Sequence, residues 1–232
     1  MKYTGEVLLT PLPGPTEAEL RAAMDEALAR IDWAGFPARR AEAAKRGKKR
    51  GIGLAYYLEA TGGGPTENAA VRFTDDGFVD VYVGTQSTGQ GHETAYAMMT
   101  SHELGVPIEK VRIRQGDSDT LPDGGGTGGA RSLYSEGQAI LVTTASVVEK
   151  GKRAASEHLE ASVADIEFTP KDGRFAVAGT DRGVGIIELA AAQRKRAAAG
   201  QDATLLDAQE TAEIKAHTFP NGCHVAEVEV DP

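Results

Sequence analysis

Apolar positions recur at helical spacing over residues 16–33 (TEAELRAAMDEALARIDW), and Thr16 followed by Glu19 forms a capping box, so a first helix is predicted there. GIGLAYYLEA (51–60) and AVRFTDDGFVDVYVG (70–84) alternate as strands, the latter folding into a hairpin turned at Asp75, Asp76 and Gly77. HETAYAMMTSHELG (92–105) is a predicted helix stopped by Gly105 with Pro107 beyond it, and KVRIRQG (110–116) is a strand. Residues 132–161 carry helical periodicity long enough for one long helix or two, and 164–179 reads as a hairpin. A further helix is expected over 186–200 and a strand over 223–230, whereas 201–216 is weakly patterned and is read as a mobile stretch.

One arrangement occurs twice in this order of elements: a strand, a glycine-rich loop, then a helix. That repetition predicts an α+β or mixed α/β domain presenting two helix N-termini and many free backbone N–H groups, the local chemistry that an extended phosphorylated ligand needs. No longer repeat recurs, which argues against a solenoid.

Composition narrows the partners. The 232 residues are 41% hydrophobic and 25% charged, with a formal charge of -9, which argues against nucleic-acid or acidic-membrane surfaces. Cys223 is the sole cysteine, so neither an internal disulfide nor a thiol cluster is available. Neither the N-terminal stretch MKYTGEVLLTPLPGP nor any later one approaches a membrane span, and a cytoplasmic protein is expected. Residues 39–50 hold seven basic side chains, read as the solvated end of a helix before Gly51. The five histidines do not form a tight ligand set, and no metal-binding residue is assigned.

The chemistry concentrates in the two loops. In the first, GTQSTGQGHE (84–93), Gly89 and Gly91 permit close approach of the backbone to a ligand, and Gln90 between them offers a neutral donor and acceptor. His92 opens the following helix. Glu93 is read as a cap or dipole partner, and no catalytic residue is assigned. The second loop, GDSDTLPDGGGTGGARS (116–132), holds six glycines and ends in Arg131 and Ser132 at a helix start. Its amides, including that of Gly128, the hydroxyls of Thr127 and Ser132, and the Arg131 guanidinium form a candidate phosphate or pyrophosphate site.

At these loops the chain resembles the molybdenum hydroxylase family: xanthine oxidase, aldehyde oxidase and the large subunit of carbon monoxide dehydrogenase. The family carries GT-x-S-x-GQGHET and then GD-x-D-x-x-P-x-GGGT-x-G-S-RS, and both segments occur here in order. Residues 33–62, 164–182 and 218–232 also look like consecutive family segments. Thr88 stands where carbon monoxide dehydrogenases have glutamine, and Ala130 replaces a common serine.

The resemblance implies an α+β fold of mixed sheets with packed helices, as in the molybdenum-cofactor-binding domain of aldehyde oxidase and xanthine dehydrogenase. It implies an N-terminal segment (1–36) and a partial molybdopterin-binding domain (37–232), with a division into two lobes near 162. Gly89, Gln90, Gly91, His92, Thr127, Gly128, Arg131 and Ser132 would bind molybdenum–molybdopterin, the cytosine dinucleotide form being one candidate. The implied partners are the remainder of a large subunit, iron–sulfur and FAD subunits or domains, and a small-molecule substrate. The family's catalytic glutamate lies in a GEAG-like segment and its active-site loop carries an AYR-type motif. Neither string occurs in these residues, so the expectation is a fragment inactive by itself. The alternative left open is a noncatalytic phosphate-ligand-binding or assembly module using the same loops.

Overall fold

A computed structural model describes residues 14–121 and 123–232. The reading of the N-terminal stretch as falling short of a membrane span concerns residues 1–13, which lie outside that range. The described chain falls into two units, residues 62–216 and residues 14–61 with 217–232.

The larger unit is built on a four-stranded sheet in the order β4-β3-β2-β8, with β2 Thr66–Phe73, β3 Val79–Val83, β4 Val111–Arg114 and β8 Ala208–Glu213. The 70–84 hairpin forms as expected, with Ala69, Val71 and Phe73 of β2 and Val79, Val81 and Val83 of β3 all buried. β3 and β4 are parallel neighbours, which requires a crossover, and α3 (His92–Leu104) supplies it. Gly105 ends α3 in the left-handed conformation, where a Cβ would lie 2.0 Å from the Pro170 carbonyl oxygen, so both dihedral and space demand glycine.

Residues 132–159 form one helix, α4 (Ser132–Leu159), of 28 residues. Its first part packs on the sheet, with Ala139, Ile140 and Thr143 buried and the Thr143 hydroxyl donating to the Ala69 carbonyl of β2. Its C-terminal half meets a three-stranded meander, β5 Ile166–Thr169, β6 Arg174–Val177 and β7 Gly183–Gly185, where Gly151 leaves room for the Phe175 ring. α5 (Ile186–Ala198) closes this core with Ile186 and Leu189.

The weakly patterned stretch 201–216 is not a mobile segment. Leu206 is buried, and β8 pairs antiparallel with β2 from Thr66↔Glu213 to Val71↔Ala208. Its alternation is hard to see because the inward residues are small, Ala208 and Ala212.

In the smaller unit, α1 (Glu17–Arg30) starts at Thr16 with the expected reciprocal capping box to Glu19. α2 spans Phe36–Lys45, and β1 (Lys49–Leu58) pairs over its whole length with β9 (Asn221–Val230). The basic run is therefore not merely a solvated helix end. Its last two residues belong to β1, and Arg39 and Arg50 form ion pairs with Glu227, while Arg46 pairs with Glu229. Arg39 holds the Glu227 carboxyl below the usual range, with Arg50 assisting. These cations neutralise the acidic side of β9.

No helix among the described residues is long and apolar enough to cross a membrane. Mixed sheets with packed helices make this an α+β fold, as expected.

Candidate functional site

Because β3 and β4 are parallel neighbours, the loops that leave their C-terminal ends emerge on one edge of the sheet. They meet there. The Thr127 hydroxyl accepts from the Gln86 amide at 2.9 Å and donates to the Gln86 carbonyl at 2.7 Å. Gly84 and Gly124 touch backbone to backbone, where a Cβ on Gly124 would stand 2.3 Å from the Gly84 Cα. Between the loops lies a cleft of about 600 Å³ lined by Gly84, Thr85, Gln86, Gly116, Asp123 and Thr127 among others.

The expected ligand residues distribute around this cleft unevenly. Thr127 lines it, and Ser132, the first residue of α4, donates its hydroxyl to Thr127 at 3.3 Å. Gly128 is exposed at the end of the second loop, where its carbonyl accepts from the Arg131 amide. Gly89, Gln90 and Gly91 form the exposed crest of the first loop, beyond Thr88, and the Gln90 carboxamide oxygen accepts from the Thr88 amide. Gly91 takes a φ of 78° at the α3 N-terminus. His92 follows it, buried against Tyr96, and its Nδ1 is buried without a hydrogen-bond partner. Burial lowers its pKa, the nearby Glu93 acting in the opposite direction, so the imidazole is neutral at physiological pH.

Arg131 is placed differently from the other seven. It is 3% exposed, lies between Gly63 and Gly125, where any Cβ would collide with it, and faces inward. Its Nη2 pairs with the fully buried Glu67 carboxylate at 2.6 Å and its Nη1 donates to the Gly126 carbonyl at 3.0 Å. Glu67 also accepts from the Gly125 amide at 3.1 Å. Arg131 and Glu67 together fasten the second loop to β2.

Glu67 and three further buried polar residues, Thr85, Tyr96 and Glu136, were not singled out by sequence reasoning. Thr85 and Tyr96 share a hydrogen bond at 2.9 Å. Burial drives the Tyr96 pKa upward. Glu136 is pushed to about 9, by burial first and by the Glu67 charge second, so it is a neutral acid near pH 7. A readable signal existed for Glu136 alone: it precedes Ala139, Ile140 and Thr143 at the spacing of the buried helix face.

Chemically, the arrangement offers amide and hydroxyl donors and two helix N-termini, and among the described residues none that lines the cleft is cationic. A cleft walled by Gly84, Gly116, Gly124 and Gly126, with amide and hydroxyl donors beside the single carboxylate of Asp123, fits a flat, polar-edged group carrying a phosphate tail held by backbone amides.

Residues 26–232 match the family described as the molybdopterin cofactor-binding domain. The chain belongs to this family. It is 36% identical over 187 residues to the 6-hydroxypseudooxynicotine dehydrogenase complex subunit gamma of Paenarthrobacter nicotinovorans, covering 80% of this chain and 23% of that protein. Over 152 residues it is 38% identical to the carbon monoxide dehydrogenase large chain of Afipia carboxidovorans, covering 60% of this chain and 18% of that protein. Among solved structures, carbon monoxide dehydrogenase from Oligotropha carboxidovorans superposes with a TM-score of 0.67 at 30% identity, covering 92% of this chain and 28% of that one. Quinoline 2-oxidoreductase from Pseudomonas putida 86 gives 0.65 at 32% identity, covering 90% and 28%. The chain thus spans between 18% and 28% of the length of these relatives. The alternative of a noncatalytic module for another phosphate ligand draws no support from these matches.

Proposed function

We propose that this molybdopterin cofactor-binding domain works as part of a molybdenum-dependent hydroxylase or dehydrogenase that oxidises a small carbonyl-type or heterocyclic molecule. The observation that carries this reading is the joining of two glycine loops, each opening a helix, across one cleft by the Gln86–Thr127 hydrogen bonds. In this reading Gly89, Gln90, Gly91 and His92 present backbone and neutral side-chain groups to the cofactor's pterin edge. Thr127, Gly128 and Ser132 bind its phosphate-bearing tail, which we assign to the cytosine dinucleotide form. Arg131 contributes by holding the loop through Glu67 rather than by meeting the phosphate. When bound, the cofactor supplies the redox-active molybdenum that accepts the substrate's electrons. This chain's residues bind and orient it.

The relatives' names, a complex subunit gamma and large chains, support a multisubunit setting. We therefore assign partners that supply the remainder of a large subunit and the iron–sulfur and flavin centres that carry electrons away, in the cytoplasm. The test is purification from the native host with co-purifying proteins, followed by molybdenum and pterin assays and dye-linked oxidation of aldehydes and nitrogen heterocycles. Molybdenum and a dinucleotide pterin with substrate-dependent dye reduction are expected. A stable complex with neither molybdenum nor pterin refutes the proposal.

A further inference from the structure

A carboxyl group with no part in the cofactor contacts lies fully buried beneath the cleft. Glu136, in the second turn of α4, is 0% exposed, and neither of its oxygens has a partner at hydrogen-bonding geometry among the described residues. The groups that stabilise its charge are the amides of Gly84 and Thr85 and the Thr85 hydroxyl, and these two residues line the cleft. A hydrophobic residue of similar volume is usually as stable in such a position, so burial of an acid here calls for another reason.

We infer that Glu136 is a positioning residue for the cleft, its carboxyl holding the Gly84–Thr85 floor from below while the Glu67–Arg131 pair holds the second loop. The inference rests on the cofactor role proposed for that cleft. Three charged or titratable groups share the cluster: Glu67 from β2, Arg131 from the start of α4 and Tyr96 from α3. One cation stands among two carboxyls, and Arg131 is committed to Glu67. Glu136 therefore keeps its proton, its pKa pushed up to about 9 by burial and by Glu67, while burial keeps Tyr96 neutral. Loss of the proton would put a second negative charge against Glu67 beneath the Gly84–Thr85 floor.

The experiment follows the threonine methyl resonances of the 232-residue chain from roughly pH 6 to 10.5, in the wild type, Glu136→Gln and Glu136→Leu. Thr85 and Thr127 are expected to titrate together with a midpoint near 9 in the wild type, and to stay at their low-pH positions in Glu136→Gln. Glu136→Leu should fold, show both methyls displaced at every pH, and, purified from the native host, hold less molybdenum by about ten-fold or more. Glu136→Gln should restore retention. The inference is overturned if the wild-type methyls do not titrate, if Glu136→Gln titrates as the wild type does, or if Glu136→Leu retains molybdenum normally in a wild type that contains it. A wild type lacking molybdenum whose Thr85 and Thr127 still titrate through Glu136 would refute the cofactor role and leave the positioning role standing.

Discussion

The buried acid Glu136 makes the stability of this domain depend on pH in a way that a single substitution should abolish. Its folded pKa of about 9 lies above the ordinary 4.5, so folding takes up a proton anywhere between the two values. A carboxyl raised in this sense contributes stability that is fully present below the unfolded value and is lost as pH rises through the folded one. At about 1.4 kcal/mol per pKa unit the whole span is worth about 6 kcal/mol, and the slope within the window is about 1.4 kcal/mol per pH unit. Between about pH 6 and 8 the wild type should lose about 3 kcal/mol from this group, which is roughly 5–10 °C in melting temperature for a chain of this size. Glu136→Gln keeps the shape and removes the proton, so the difference between the two melting curves isolates the residue from every other titrating group. Calorimetry at three pH values in that interval is sufficient. The variant should gain on the wild type steadily with pH. Parallel curves would show that Glu136 is already ionised in the folded protein, and the account of a neutral acid under the cleft would be wrong.

Other perturbations test the loop geometry. Gly124→Ala places a methyl 2.3 Å from the Gly84 Cα, and forcing the loops apart should cost about 1–3 kcal/mol and most of the molybdenum retained by the native complex; an unchanged urea midpoint would sink the close contact. Thr127→Val conserves volume but deletes both bonds to Gln86, with an expected loss of about 1–3 kcal/mol on urea titration, together with weaker cofactor retention. Glu67→Ala strands the buried Arg131 and should cost about 3–5 kcal/mol; a double variant that also replaces Arg131 by methionine should recover most of that, and additive losses would argue against their pairing. Since no cationic side chain among the described residues lines the cleft, cofactor retention should change little between low and about 0.5 M salt, as measured by molybdenum content after gel filtration; strong salt dependence would point to surface cations instead.

The elements most legible in the sequence are those fixed by local chemistry. The Thr16–Glu19 capping box, the turn at Asp75 to Gly77 and the Gly105 stop each involve residues within a few positions of one another, and all three form. The two glycine loops were equally plain, because so many glycines cannot be spent on an ordinary turn. What sequence could not supply was pairing across distance. β8 is short and polar, and only its register against β2 makes it a strand. The basic run 39–50 has the composition of a solvated surface, and the acidic alternation of β9 that neutralises it lies at the far end of the chain.

Arg131 illustrates the limit most clearly. An arginine at a helix start after six glycines reads equally well as a phosphate anchor or as an internal brace, since both uses want a guanidinium surrounded by small residues. The location of one carboxylate bears on the choice, and Glu67 stands beside the guanidinium with no exposed surface, which supports the brace. Under the proposed function, with the guanidinium turned inward, attraction for an anionic tail comes from backbone amides and from the N-termini of α3 and α4, whose partial charges are fixed in direction and fade within a turn. Such donors work only while the loops keep their shape. Under the proposed function, that makes the buried groups beneath the loops, the Glu67–Arg131 pair and the neutral Glu136, as important to binding as the residues that would touch the ligand.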